Sequence, residues 1–138
     1  MHLSEQIGRN LKGGECIELI SDVGGGKTTF VRGLAKGAGS SDHVSSPTFT
    51  ISKVYKTPKF EIVHFDFYRL QEAGLIEHEI EEAVYEPSTV IVVEWSDIVR
   101  HVLPEDRLQI KISIVNEEGR ELEFSYSPSL AYLIEDKA

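Results

Sequence analysis

Residues 21 to 30 read Ser-Asp-Val-Gly-Gly-Gly-Lys-Thr-Thr-Phe. Small residues there let several backbone N–H groups converge on one anion, and a helix that follows adds the positive end of its dipole. Gly24, Gly25 and Gly26 permit close approach and unusual backbone angles. Lys27 is placed to reach the β- and γ-phosphates of a nucleotide, and the hydroxyl of Thr28 suits a magnesium ion. The usual phosphate-loop pattern has glycine, four residues, then glycine, lysine and serine or threonine; here Ser21 stands in place of the first glycine. A plain glycine turn is the alternative, but an apolar strand before and an amphipathic helix after favour the phosphate cradle.

Magnesium-dependent phosphoryl chemistry also needs an acid near the metal, commonly at the end of another buried strand. Asp66 follows "EIVHF" and Glu94 follows "VIVV". Each is expected at the carboxyl edge of the sheet beside the loop, where open α/β sheets hold their ligands. An acid ending a strand is often merely solvated, so it is the conjunction with the loop that gives these two weight.

Those residues require a scaffold of alternating elements. Leu3, Ile7 and Leu11 recur at helical spacing, with Ser4 as an expected cap and Gly13-Gly14 as the stop. "ECIELI" (15–20) reads as a strand, and the glycine loop leads into a helix, "KTTFVRGLAKGAG", closed by Gly37 to Gly39. Residues 40–50 read as a loop, "TISKVY" and "KFEIVHFDFY" as strands, and Thr57-Pro58-Lys59 as a turn between them. "LQEAGLIEHEIEEAVYE" reads as a charged helical stretch, interrupted at Gly74 and ended by Pro87. "STVIVVEW" has the continuous apolar run of a strand buried on both faces. "DRLQIKISIV", the "NEEGR" turn and "ELEFSYS" form a hairpin, and 128–138 a short packed tail. The fold class is therefore α/β, with a mixed sheet flanked by helices and a C-terminal antiparallel hairpin.

A length of 138 residues fits a single domain spanning 1–138. The net charge of −9 opposes direct, charge-driven grip on nucleic acid. A lone cysteine, Cys16, excludes an internal disulfide framework and reads as an inert core thiol. No signal peptide is visible, and the longest apolar run, "VIVV", is far short of a membrane span, so the expected location is cytoplasmic with no membrane partner. The Asn-Lys-x-Asp stretch that selects guanine is absent, against a GTPase. A small-molecule P-loop kinase is the alternative; such kinases carry an arginine-rich lid, and the chain after the second helix has Arg100 and Arg107 but little room for one. A nucleotide-dependent interaction module is a third class.

The segments "SDVGGGKTTFVRGLAKGAG", "VSSPTFT", "HFDFYRL", "VVEWSD" and "LPEDRLQIKI" stand in the order and spacing of the TsaE (YjeE) family. The resemblance runs from about Leu11 to Glu123. It implies a P-loop NTPase fold, binding of ATP and Mg2+, and weak ATPase activity. It also implies work with two partners, TsaB and TsaD, which transfer threonylcarbamoyl to an adenosine beside the tRNA anticodon, so that tRNA is met only indirectly through the complex. Position by position, the loop of Val23, Gly24, Gly25, Gly26, Lys27 and Thr28, followed by Thr29, would hold the nucleotide. Thr28 matches the magnesium-ligand threonine, Asp66 an acid beside the γ-phosphate, and Glu94 the metal-site acid. Thr48, in "SPTF", matches a switch-like loop that senses the γ-phosphate. Either Asp66 or Glu94 orients the attacking water. The chain departs from the family's usual G-D-L-G-A-G-K-T at Ser21, Val23 and Gly25.

Five other features have two readings each. Trp95 is a nucleotide or partner contact, or a half-buried anchor. His64 has no histidine or cysteine at ligand spacing, which favours a structural role over a metal. Arg69 supports the γ-phosphate or pairs with Glu72, and Arg120 lies near the base or in a solvated turn. The acidic run 77–86 is a solvated helix face or a dock for a basic partner.

Overall fold

The computed structural model describes residues 2–21, 25–41, 52–66, 76–94, 100–116 and 119–134, with the backbone alone at 2, 21, 25–28, 66, 76, 114–116, 119 and 120. Helix α1 (His2–Asn10) leads through a turn to strand β1 (Cys16–Ser21) and helix α2 (Gly25–Gly37). Strands β2 (Ser52–Lys56) and β3 (Glu61–Asp66), helix α3 (Ile76–Val84), strand β4 (Thr89–Glu94) and the hairpin strands β5 (Leu108–Asn116) and β6 (Gly119–Ser125) follow. Short 3-10 turns cover Arg100–Val102 and Pro128–Leu133.

The strands form one mixed sheet in the order β2-β3-β4-β1-β5-β6. The four inner strands run parallel, and β2 and β6 pair antiparallel at the edges. All six residues of β4 are buried, as its unbroken apolar run demands when both faces are covered. On one face α1, α2 and the C-terminal 3-10 turn pack over Ile17, Leu19, Val90, Val92, Leu108 and Ile110. On the other, Ile80 of α3 and Leu103 close over Cys16, Phe65, Ile91 and Val93. Side chains alternate between the two layers along each strand, as the pleat requires.

The helix ends are made by identifiable chemistry. Gly13 and Gly14 leave α1 with φ of 107° and 84°, a conformation that glycine adopts without the Cβ penalty. Ser4, expected as the cap, lies inside α1 and is buried, because the helix already begins at His2. The exposed N–H groups of the turn are satisfied by Glu15, whose carboxylate accepts from the Lys12 and Gly13 nitrogens at 2.8 Å each. The Tyr132 hydroxyl donates to the same carboxylate, fastening the C-terminal turn to the start of β1. Burial first, and then that bond, push the Tyr132 hydroxyl pKa up. Helix α3 stops at Val84, earlier than the expected stop at Pro87. After it, the Ser88 hydroxyl and N–H both bond Glu86, holding that exposed carboxyl below its ordinary range. The Thr57–Phe60 turn forms as read, with Thr57 Oγ1 accepting from the Phe60 nitrogen at 3.1 Å.

Glycine also sets how closely the first two helices meet. A Cβ added at Gly37 would lie 2.0 Å from the backbone oxygen of Glu5, and one at Gly8 would lie 2.2 Å from that of Leu34. Lys36 and Glu5 form an ion pair across the same seam at 3.5 Å. Gly37→Ala would favour a free helix by about 1 kcal/mol. Here the methyl group meets main chain, so the helices must part. We expect a net loss of about 2 kcal/mol or more and a midpoint lowered by roughly 5–10 °C in thermal denaturation. An unchanged or raised midpoint would show that the seam is looser than this spacing.

Candidate nucleotide-binding site

The carboxyl ends of β3, β4 and β1 lie side by side. Asp66 stands opposite Glu94 in the β3–β4 register, and Glu94 stands opposite Leu19 of β1, two residues before the strand ends at Ser21. Helix α2 begins at Gly25 and packs on the sheet face that carries Leu19 and Val92. The start of α2, the end of β1 and both predicted acids therefore share one edge of the sheet. Backbone N–H groups in the first turn of a helix have no intrahelical acceptor, so this edge offers donors and a positive dipole end to an anion.

Gly25, Gly26, Lys27, Thr28 and Thr29 form the opening turns of α2, with Thr29 exposed. The helix thus starts two residues earlier than its sequence signature, at the second glycine of the triplet. Val23, Gly24, Thr48, Trp95, Arg69 and Gly74 lie outside the described residues, and so do the side chains of Ser21, Lys27, Thr28, Asp66 and Arg120.

Glu94 is only 3% exposed. Its Oε2 pairs with Nε2 of His64, which stands one step back on β3 and is fully buried. Such a diagonal pair across neighbouring strands is within reach of long side chains on one face. The sequence favours a structural role for His64 without giving it a partner; only the β3–β4 register joins it to Glu94.

The opposite face holds a second buried acid. Glu18, at the middle of β1, has no solvent exposure. It accepts from Arg107 Nε at 3.0 Å, Arg100 Nε at 3.1 Å and Gln109 Nε2 at 2.7 Å. A buried carboxylate is tolerated only with such compensation. Both arginines considered for a lid therefore serve this acid, on the face away from α2. Glu15 and Glu18 lie in what the sequence presents as an apolar run, and nothing in that run marks either as buried.

Cys16 is buried beside this cluster. Burial first, countered by the charge of Arg107 and aided by that of Glu18, pushes its thiol from 9.0 up to about 12. The thiol is the form the fold favours. Its contribution to stability is whole below pH 9 and is lost as pH rises from 9 through about 12. At pH 8 the native chain is expected to react with a thiol reagent at least about a hundredfold more slowly than the unfolded chain, because the thiolate is the nucleophile. Labelling at equal rates would contradict the burial.

Helix α3 presents Glu79, Glu81 and Glu82 to solvent while Ile80 packs inward. Among the described residues there is no cluster of three or more histidine, cysteine or acidic residues able to hold a metal. Nor is any described helix long and apolar enough to cross a membrane.

A strand, glycine segment and helix at the centre of a mostly parallel sheet, with acids ending the neighbouring strands, define an α/β protein of the P-loop NTPase fold. The model of the family described as threonylcarbamoyl adenosine biosynthesis protein TsaE matches residues 1–122, and the chain belongs to that family. It is similar to the tRNA threonylcarbamoyladenosine biosynthesis protein TsaE of Rickettsia prowazekii, 34% identical over 121 residues, covering 86% of this chain and 83% of that one. The protein of the same name from Bacillus subtilis is 37% identical over 118 residues, covering 83% and 71%. Among solved structures, Bacillus subtilis YdiB superposes with a TM-score of 0.72 at 30% identity, covering 96% of this chain and 82% of that one.

Proposed function

We propose that the chain is a single-domain, cytoplasmic, magnesium-dependent ATPase of weak intrinsic activity. It supports the TsaB–TsaD pair in threonylcarbamoyladenosine modification of tRNA. The observation that carries this reading is the family match over residues 1–122, joined to a helix that starts at Gly25 on the edge where Asp66 and Glu94 end their strands.

The donor set fits the group it would hold. Amide N–H groups and an ammonium suit a triphosphate, and the hydroxyl of Thr28 with the carboxylate of Glu94 are hard oxygen donors of the kind magnesium prefers. Bound magnesium-ATP would supply the phosphoryl group and its charge neutralisation. Val23 to Thr29 cradle the phosphates, with Lys27 balancing the β/γ charge. Thr48 senses the γ-phosphate. Either Asp66 or Glu94 orients the attacking water at the sheet edge. The net charge of −9 agrees with a role in which other proteins hold the tRNA. The commitment of Arg100 and Arg107 to Glu18 speaks against a kinase lid.

The deciding measurement is phosphate release from ATP and magnesium by the purified chain, alone and with TsaB and TsaD. Slow release alone and faster release with both partners is the expected result. Consumption of ATP that needs only a small-molecule acceptor, with the γ-phosphoryl group passing to that acceptor and no phosphate released, would make the chain a kinase, and no turnover under any condition would make it a binding module.

A further inference from the structure

The enclosure of His64 has a chemical consequence. The ring lies between β2 and β4, with Lys53 and Val92 as its register partners and the Tyr55 ring centroid 6.5 Å away. Nε2 meets Glu94, whereas Nδ1 is buried without a hydrogen-bond partner among the described residues. A carboxylate oxygen only accepts, so the ring must carry a hydrogen on Nε2 to bond it. Filling this volume for packing alone needs no ring nitrogens; leucine or phenylalanine would do so without burying an unsatisfied one. The bond to Glu94 is what a histidine adds here.

We propose that His64 is the positioning residue for Glu94. By donating from Nε2, it holds the carboxylate in one rotamer at the sheet edge beside the start of α2, instead of leaving a flexible side chain to sample several. The hydrogen bond plays the part that an outer partner plays for a metal-site acid, fixing its orientation without touching the reacting atoms. The inference rests on the reading of Glu94 as the acid of the nucleotide site.

The test uses the full chain with magnesium-ATP and three replacements. A glutamine amide can put an N–H where Nε2 lies, an asparagine amide reaches only the Nδ1 position, and leucine offers neither. His64→Leu and His64→Asn are expected to lower hydrolysis by about 10- to 100-fold. Nucleotide affinity should change by less than about threefold, because an orienting contact acts on turnover more than on binding. His64→Gln should restore most of the rate. In the unaltered protein without nucleotide, long-range proton–nitrogen spectra of the imidazole should show hydrogen on Nε2. Wild-type hydrolysis in the leucine or asparagine variant, glutamine no better than asparagine, or no hydrogen on Nε2 would each overturn the proposal. If the leucine variant fails to fold, the glutamine–asparagine comparison and the spectrum still decide. Glu94→Gln separates the two readings. If it leaves hydrolysis intact, the assignment of Glu94 fails; if it lowers hydrolysis while the histidine variants do not, only the role of His64 fails.

Discussion

Lys27→Ala is expected to abolish measurable nucleotide binding. Backbone N–H groups at a helix start contribute partial charges, but a triphosphate carries several full ones, and the loop supplies a single ammonium to meet them. A charge-assisted contact of about 3 kcal/mol corresponds to more than a hundredfold in affinity. Titration with a fluorescent ATP analogue reads this directly. The change removes a charge and no apolar core residue, and alanine favours a helix, so the variant should keep the far-ultraviolet spectrum and thermal midpoint of the parent. Unchanged affinity would remove the phosphate cradle from the account.

Glu94→Gln should give the opposite pattern, with binding kept and hydrolysis lost. Glutamine preserves the length of the side chain, and its amide oxygen still accepts from His64, so the buried pair survives the change. What disappears is the negative charge that orients or deprotonates water, a contribution of about 100- to 10,000-fold. Affinity for ATP should stay within about threefold while phosphate release falls by that factor. Glu94→Ala is a poorer probe, because it would leave both nitrogens of His64 unpaired in the core. Asp66→Ala is expected to follow the same split between binding and turnover. Equal loss of both would mark either acid as structural.

The fold was legible in the sequence wherever one periodicity dominated. The unbroken "VIVV" run announced a strand covered on both sides, and β4 is buried throughout. The alternation of "LQIKISIV" and "ELEFSYS" announced the hairpin, and β5 pairs with β6 antiparallel. Helix ends were harder. Ser4 looks like a cap because serine favours that position, yet α1 extends past it and buries it. The long acidic stretch overstates α3, since charged residues that favour helix continue beyond the point where Ile80 can reach the core. At the candidate site, the loop and its two acids were legible because each has a local signature. The pairing of His64 with Glu94 and the three donors around Glu18 were not, because they depend on which strands become neighbours. Nothing in "CIELI" distinguishes a glutamate facing solvent from one enclosed by two guanidinium groups at residues 100 and 107.

The glycine seam between α1 and α2 bears on mechanics as well as on packing. With Gly37 pressed against the main chain of Glu5, the rear of α2 has no clearance in which to slide. A rod clamped at its tail can transmit a tug at its head only by pivoting or by uncoiling its leading turn. On the proposed function, a ligand arriving at the front of α2 would therefore turn the helix about its clamped rear or unwind the residues around Gly25, and would not slide it along its neighbour.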